Sequence, residues 1–247
     1  MKHASPQLAL QKIEYQYKFL APLAMLYIMV ALADILSVYR LVQFGSIVVS
    51  AGVFLMPVYY LIEDMLTEIY GYKRSRQILW TGLAWGFLFA LIFKMVNSFP
   101  APSFWHNQED YVVVTTHLLR TMIGGGCIAV VIGAFINTYA IAKWKILCAG
   151  KYFWLRSLGS SAIGQAIQVA LGCLLLYVGV YPIETIIKMI LPIYLIQIIL
   201  STIIVIPGTF ITYWIKSREG MEVYDYNTNF SPFKISVEQE EVFKVKQ

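Results

Sequence analysis

Long apolar runs separated by short polar segments set the pattern of this chain. A helix needs about 20 mostly apolar residues to cross a bilayer. Six stretches are of that order: 19–39, 44–62, 78–96, 118–142, 160–181 and 186–215. The first contains Asp34, the second Pro57, and the last both Pro192 and Pro207. That last stretch reads either as one long broken helix or as a short re-entrant piece followed by a span. The pattern predicts an all-α integral membrane protein with six transmembrane helices. Residues 1–18 form an N-terminal segment, 19–216 the membrane domain and 217–247 a polar, mostly solvated tail.

Composition narrows the class. Hydrophobic residues make up 59% of the 247 and charged residues 13%, about half the ~25% usual in soluble domains. That is too little charge to cover a soluble domain of this size, which argues against a soluble enzyme and a disordered chain. The net charge of +5 sorts by side. Lys2, Lys12 and Lys18 precede the first stretch. Lys73, Arg74 and Arg76 lie between the second and third. Lys143, Lys145, Lys151 and Arg156 lie between the fourth and fifth. Lys216, Arg218, Lys234, Lys244 and Lys246 follow the last.

Fifteen of the nineteen basic residues thus fall on one side, leaving Arg40, Lys94, Arg120 and Lys188. The loop 97–116 has no Lys or Arg and carries Glu109 and Asp110. The positive-inside rule then makes both termini cytoplasmic. The charge reports topology, and no nucleic-acid partner is expected. Ala31-Leu32-Ala33 has the form of a signal-peptide cleavage site. The leader before it is too long and, with Glu14, too acidic, so the first stretch is read as retained.

Several chemistries are not expected. Cys127, Cys148 and Cys173 are far apart with no C-x-x-C. His106 and His117 have no carboxylate in register, so no metal site is expected. H-E-x-x-H, G-x-S-x-G and the ATP-binding G-x-x-x-x-G-K-[ST] are absent. Catalytic residues and cofactors are therefore not expected. The driving force stays open between a solute gradient, a coupled ion, metabolic trapping and a separate ATPase subunit.

Function is sought in the polar residues at membrane depth, where a charge costs about 2.5–3.5 kcal/mol on the insertion scale. Asp34 follows Tyr27 by seven residues on the first helix. Tyr60, Asp64 and Glu68 recur every fourth residue on the second, with Thr67 beside them. Arg120 precedes Gly126, Gly133 and Asn137 on the fourth. Ser161, Gln165, Gln168 and Gly172 stripe the fifth, and Tyr194, Gln197 and Ser201 the sixth. Glycine faces such as Gly124-Gly125-Gly126 also serve helix packing, and Ser and Gln stripes also serve interhelical hydrogen bonds. Asp64 and Glu68 equally fit the cytoplasmic end of the second helix.

The run Ala51-Gly52-Val53-Phe54-Leu55-Met56-Pro57-Val58-Tyr59, followed by Asp64-Met65-Leu66-Thr67-Glu68-Ile69-Tyr70-Gly71-Tyr72-Lys73-Arg74-Ser75-Arg76, resembles the signature of the queuosine precursor transporter family, also described as vitamin-uptake-transporter-like. Arg120, the block Gly133 to Tyr139 with Lys145, the block Arg156 to Ser161 with Gly164-Gln165, then Pro207 and the tail Tyr224-Asp225 to Phe233 follow in the same order. The resemblance spans about residues 20–235.

It implies a six-helix protein of the bacterial inner membrane, surrounded by lipid and similar to the substrate-binding subunits of energy-coupling-factor vitamin transporters. The implied activity is uptake of a 7-deazaguanine precursor of the tRNA nucleoside queuosine. A separate ATPase module is a possible partner. On this reading Asp64 takes the N–H edge of the base, and Asn137, Gln165, Gln168 and Gln197 form a polar wall. Asp34 and Thr67 complete the substrate-binding set, and Arg120 gates the outer face. The chain departs from the family pattern at Gln168, where an acid is expected, at Gln197, where Lys is expected, and at Ala134, where Glu or Gln is expected. It also has Asp34 where the pattern has Asn.

Overall fold

The computed structural model describes residues 17–226, 228–234 and 242–244. In chain order the elements are α1 (Leu20–Ser37), β1 (Leu41–Phe44), β2 (Ile47–Ser50), α2 (Met56–Val96), α3 (Gln108–Ile123), α4 (Gly125–Leu147), α5 (Phe153–Tyr177), α6 (Ile183–Glu219), β3 (Met221–Val223) and β4 (Val242–Lys244). Helices α1, α2, α4, α5 and α6 are each long and apolar enough to cross a membrane. Their outward faces carry large apolar side chains, such as Met29 on α1 and Leu191, Ile203 and Phe210 on α6. A helix bundle in lipid is expected to present such a surface.

The run 44–62 is not one helix. Its first part pairs with the preceding residues as an antiparallel hairpin, from Leu41 opposite Ser50 to Phe44 opposite Ile47. Gly45 turns the hairpin at a φ of 60°. The β-branched Ile47, Val48 and Val49 favour a strand, and apolar content alone cannot tell that strand from a helix. A 3-10 turn (Ala51–Phe54) follows. Pro57 lies in the first turn of α2, where it starts the helix without bending it.

Helix α2 contains both the rest of that run and the next one, 78–96, joined at Gly71. Gly71 has φ 80° and ψ 168°, outside the helical region. Thr67 and Ser75 would be about 12 Å apart along a straight helix, yet their hydroxyls hydrogen-bond at 2.9 Å. The chain therefore folds back on itself at Gly71. A Cβ there would lie 2.7 Å from Val223 Cγ1, so conformation and close approach both call for glycine.

The run 118–142 is likewise divided, because Gly124 is extended between α3 and α4. The run 160–181 is α5, which begins earlier and so takes in Arg156 and Ser157. The last run is one continuous helix, α6, with Pro192 and Pro207 inside it. Helices α4 and α5 cross at paired glycines. A Cβ on Gly133 would meet the Gly164 carbonyl at 2.8 Å, and a Cβ on Gly164 would meet the Gly133 carbonyl at 2.8 Å. Small residues at such crossings let helix backbones approach closely in membranes.

The ends of the bundle differ. One carries the β1–β2 hairpin. The other gathers the start of α1 and the end of α6, where Glu219 accepts hydrogen bonds from the Phe19 amide at 2.8 Å and the Tyr70 hydroxyl at 2.7 Å. Most of the N-terminal segment 1–18 lies outside the described residues. The tail is not a solvated extension where it is described. Arg76 donates to the Asn229 and Ser231 carbonyls, Trp80 Nε1 to the Pro232 carbonyl, and the Tyr72 amide to Asp225 Oδ2. Val223 and Asp225 are buried. The backbone carbonyls of the tail satisfy donors that α2 would otherwise bury unpaired.

Candidate functional site

The first half of α2 carries polar side chains at every turn from Tyr59 to Glu68, and α4, α5 and α6 supply their partners. Three layers result, running from the hairpin end to the tail end.

Two small cavities lie in the hairpin half. The first, about 50 Å³, is lined by Tyr27, Asp34, Tyr59, Gly82, Met122, Ala134 and Phe135, among others. The second, about 40 Å³, is lined by Ser50, Met56, Gln168, Cys173, Tyr177, Ile193 and Gln197, among others. Each has room for a few waters and is far below the ~300 Å³ at which ligand pockets usually begin. A hydrogen-bonded bridge separates them. Gln168 Nε2 donates to the Tyr59 hydroxyl, and the Tyr60 hydroxyl donates to Gln168 Oε1, both at 2.5 Å. Around this layer Asp34 Oδ1, Gln165 Oε1 and Gln197 Oε1 are buried without a hydrogen-bond partner. The nitrogens of the two glutamines are used: Gln165 donates to the Ser201 hydroxyl, and Gln197 donates to the Met56 thioether.

One helical turn further, Glu63 and Asp64 are buried side by side. Asn137 Nδ2 donates to both, at 3.0 Å to Glu63 and 2.7 Å to Asp64. Asp64 also accepts from Ser157 at 2.6 Å and Ser161 at 3.0 Å, so both its oxygens are engaged. Glu63 Oε1 accepts from the Thr138 hydroxyl at 2.5 Å, while Glu63 Oε2 and Asn137 Oδ1 have no partner.

The third layer is ionic and centres on Glu68. Arg156 reaches it at 2.8 Å, Lys216 at 3.0 Å and Lys145 at 3.8 Å. Lys145 also donates to the Glu68 and Val223 carbonyls, and Lys216 pairs with Glu222. Glu68, Lys145, Arg156 and Lys216 are all buried. Such a cluster holds only while every member is present, because an unpaired buried charge costs several kcal/mol.

Six of the eight residues singled out from sequence lie along these first two layers: Asp34, Gln168 and Gln197 line the cavities, Gln165 sits one helical turn from Gln168, and Asp64 and Asn137 lie below them. The family-variant positions Gln168 and Gln197 line one cavity, and Asp34 and Ala134 line the other. Thr67 sits in the fold-back, bonded to the Glu63 carbonyl and Ser75. Arg120 is exposed at the end of α3, away from these layers. Sequence reasoning passed over Glu63, Thr138 and Ser157. The signal for Glu63 was present: two successive acids in one helix cannot both face lipid. Lys145 and Arg156 read as loop charges because the apolar runs end before the helices do.

Residues 50–215 match the family model described as "Putative vitamin uptake transporter". A "Probable queuosine precursor transporter" of Bacillus subtilis (strain 168) is 22% identical over 169 residues, covering 68% of this chain and 73% of that protein. No solved structure matches the chain.

Proposed function

The chain belongs to the vitamin uptake transporter family, and from that premise we propose that it imports a 7-deazaguanine precursor of queuosine across the bacterial inner membrane. The observation that carries this reading is the set of unpaired acceptors around the two cavities. Asp34 Oδ1 and Gln197 Oε1 belong to the cavity linings, Gln165 lies one helical turn from Gln168, and all three unpaired atoms are oxygens. They call for a solute rich in N–H donors, as the amidine-like edge of a 7-deazaguanine is. Tyr27 and Tyr59, whose ring centres are 6.2 Å apart, offer aromatic faces to a flat ring system. A solute of that size enters only when the Tyr59–Gln168–Tyr60 bridge opens and joins the two spaces. Asp64 and Asn137 form the floor beneath it. Arg120 and Thr67 take no part.

Topology supports the same reading. The fold-back at Gly71 lets α2 cross twice, giving six crossings with both termini on one side. The basic residues Lys145, Lys151, Arg156 and Lys216 collect at the tail end, which the positive-inside rule makes cytoplasmic. The ionic layer then closes the inner side, and the cavities lie in the outer half. A site between helices that is closed on its inner side suits alternating access.

The experiment is uptake of a labelled precursor into cells unable to make their own, read as queuosine in tRNA. The nitrile, the aminomethyl compound and the free queuine base are supplied separately. Expression of the chain is expected to restore queuosine with at least one of them. Failure with all three, for protein that reaches the membrane, would refute the substrate assignment.

A further inference from the structure

Glu63 is 1% exposed in the middle of the bundle, and the carrier reading gives it no role. The neutral donors Asn137 and Thr138 reach one of its oxygens and leave the other without a partner. Its neighbour Asp64 is 0% exposed and shares the same amide. Among the described residues, neither acid forms an ion pair. Arg156, the cation that acts on Asp64 electrostatically, spends its own hydrogen bond on Glu68. The other titratable groups that act on the pair are the hydroxyls of Tyr27 from α1 and Tyr60 from α2. Partners from α4 and α5 are the neutral Asn137, Thr138, Ser157 and Ser161.

Two adjacent carboxylates with no ion-pair partner in so dry a place are not both ionised. Asp64 has three donors and both oxygens engaged, which suits the anion. Glu63, with one free oxygen, is where a proton fits. We infer that Glu63 is the proton-binding site of this carrier and that solute uptake is coupled to proton entry, an inference that rests on the carrier reading above. The amide of Asn137 turns its NH2 toward both acids, an orientation that serves carboxyl groups and not a metal ion. Glu63 lies between the other two layers. It is one turn from Tyr59, which lines the first cavity, and Glu68 of the ionic layer lies five residues on. A proton can therefore arrive from the cavity side and leave when the ionic layer opens.

The test uses purified full-length protein in two arms. In infrared spectra at neutral pH, the wild type is expected to show the C=O stretch of a buried protonated carboxylic acid. Glu63→Gln is expected to lose it. A band that is unchanged in Glu63→Gln would overturn the assignment, with no substrate needed. In proteoliposomes, labelled 7-deazaguanine base is followed by exchange and by accumulation. With one proton per solute, a gradient of about one pH unit, acid outside, is expected to drive about tenfold accumulation by the wild type. Glu63→Gln is expected to keep exchange and lose the accumulation, and Glu63→Asp to retain part of it. Exchange without any response to the gradient, or a response to sodium instead, would overturn proton coupling and leave the carrier reading standing. No exchange by the wild type would overturn both.

Discussion

The ionic layer around Glu68 and the hairpin half of the bundle treat their polar groups in opposite ways. At the tail end Glu68 is met by Arg156, Lys145 and Lys216, and even the carbonyls of Glu68 and Val223 are used by Lys145. In the hairpin half Asp34 and Gln197 each keep a buried oxygen unpaired beside a small cavity, and Gln165 keeps another one helical turn from Gln168. A fully satisfied network rigidifies, whereas an unsatisfied one is a place where a ligand can gain. The contrast separates what holds this protein together from what it can do. The tail end is expected to govern stability, and the hairpin half to govern transport.

Substitutions can break that contrast, and they order by the stability each is expected to cost. Glu68→Leu takes the carboxylate from buried Arg156 and leaves Lys145 and Lys216 with the carboxylate of Glu222 alone, and is expected to lose about 3–5 kcal/mol, read as a large fall in unfolding temperature of the detergent-solubilised protein. A fall no larger than that of a surface substitution would show that the ionic layer is not a structural clasp. Gly71→Ala puts a Cβ against Val223 in a left-handed backbone, expected to cost about 1–3 kcal/mol and to raise proteolysis of the tail. Trp80→Phe removes a donor to the Pro232 carbonyl, worth about 0.5–1.5 kcal/mol, and should loosen the tail without touching transport affinity. Asp34→Leu should change stability least. It replaces a buried carboxyl whose Oδ1 has no partner with an apolar group of similar size, so the unfolding temperature should hold or rise slightly. Affinity for the solute should nevertheless fall by about 1.5–3 kcal/mol, roughly 10- to 150-fold.

The sequence made much of this visible and hid the rest for identifiable reasons. Apolar runs located the lipid-facing helices, because burial in lipid demands continuous hydrophobicity. The stripe of Tyr60, Asp64 and Glu68 marked the helix that runs through all three layers, because helical spacing puts those residues on one face. Strand β2 was not legible, since Ile47, Val48 and Val49 are as apolar as any helix segment. The fold-back at Gly71 was hidden too. A lone glycine in an otherwise polar-rich stretch says nothing about direction, and the Thr67–Ser75 contact appears only in three dimensions. Lys145, Arg156 and the docked tail were missed for one shared reason. Hydropathy ends a helix where charges begin, but here the charges are satisfied by one another inside the bundle. Arg120, a lone charge in an apolar run, stands exposed at the end of α3.

Uptake of labelled 7-deazaguanine precursor is measured in precursor-auxotrophic cells expressing equal amounts of wild-type and Asp34→Leu protein at the membrane, with unfolding temperatures taken alongside. The expected result is uptake by the wild type and at least tenfold less at low solute concentration for Asp34→Leu, at unchanged or higher stability. Equal uptake by the two proteins would contradict it, because the unpaired acceptor at Asp34 would then have no part in holding the solute.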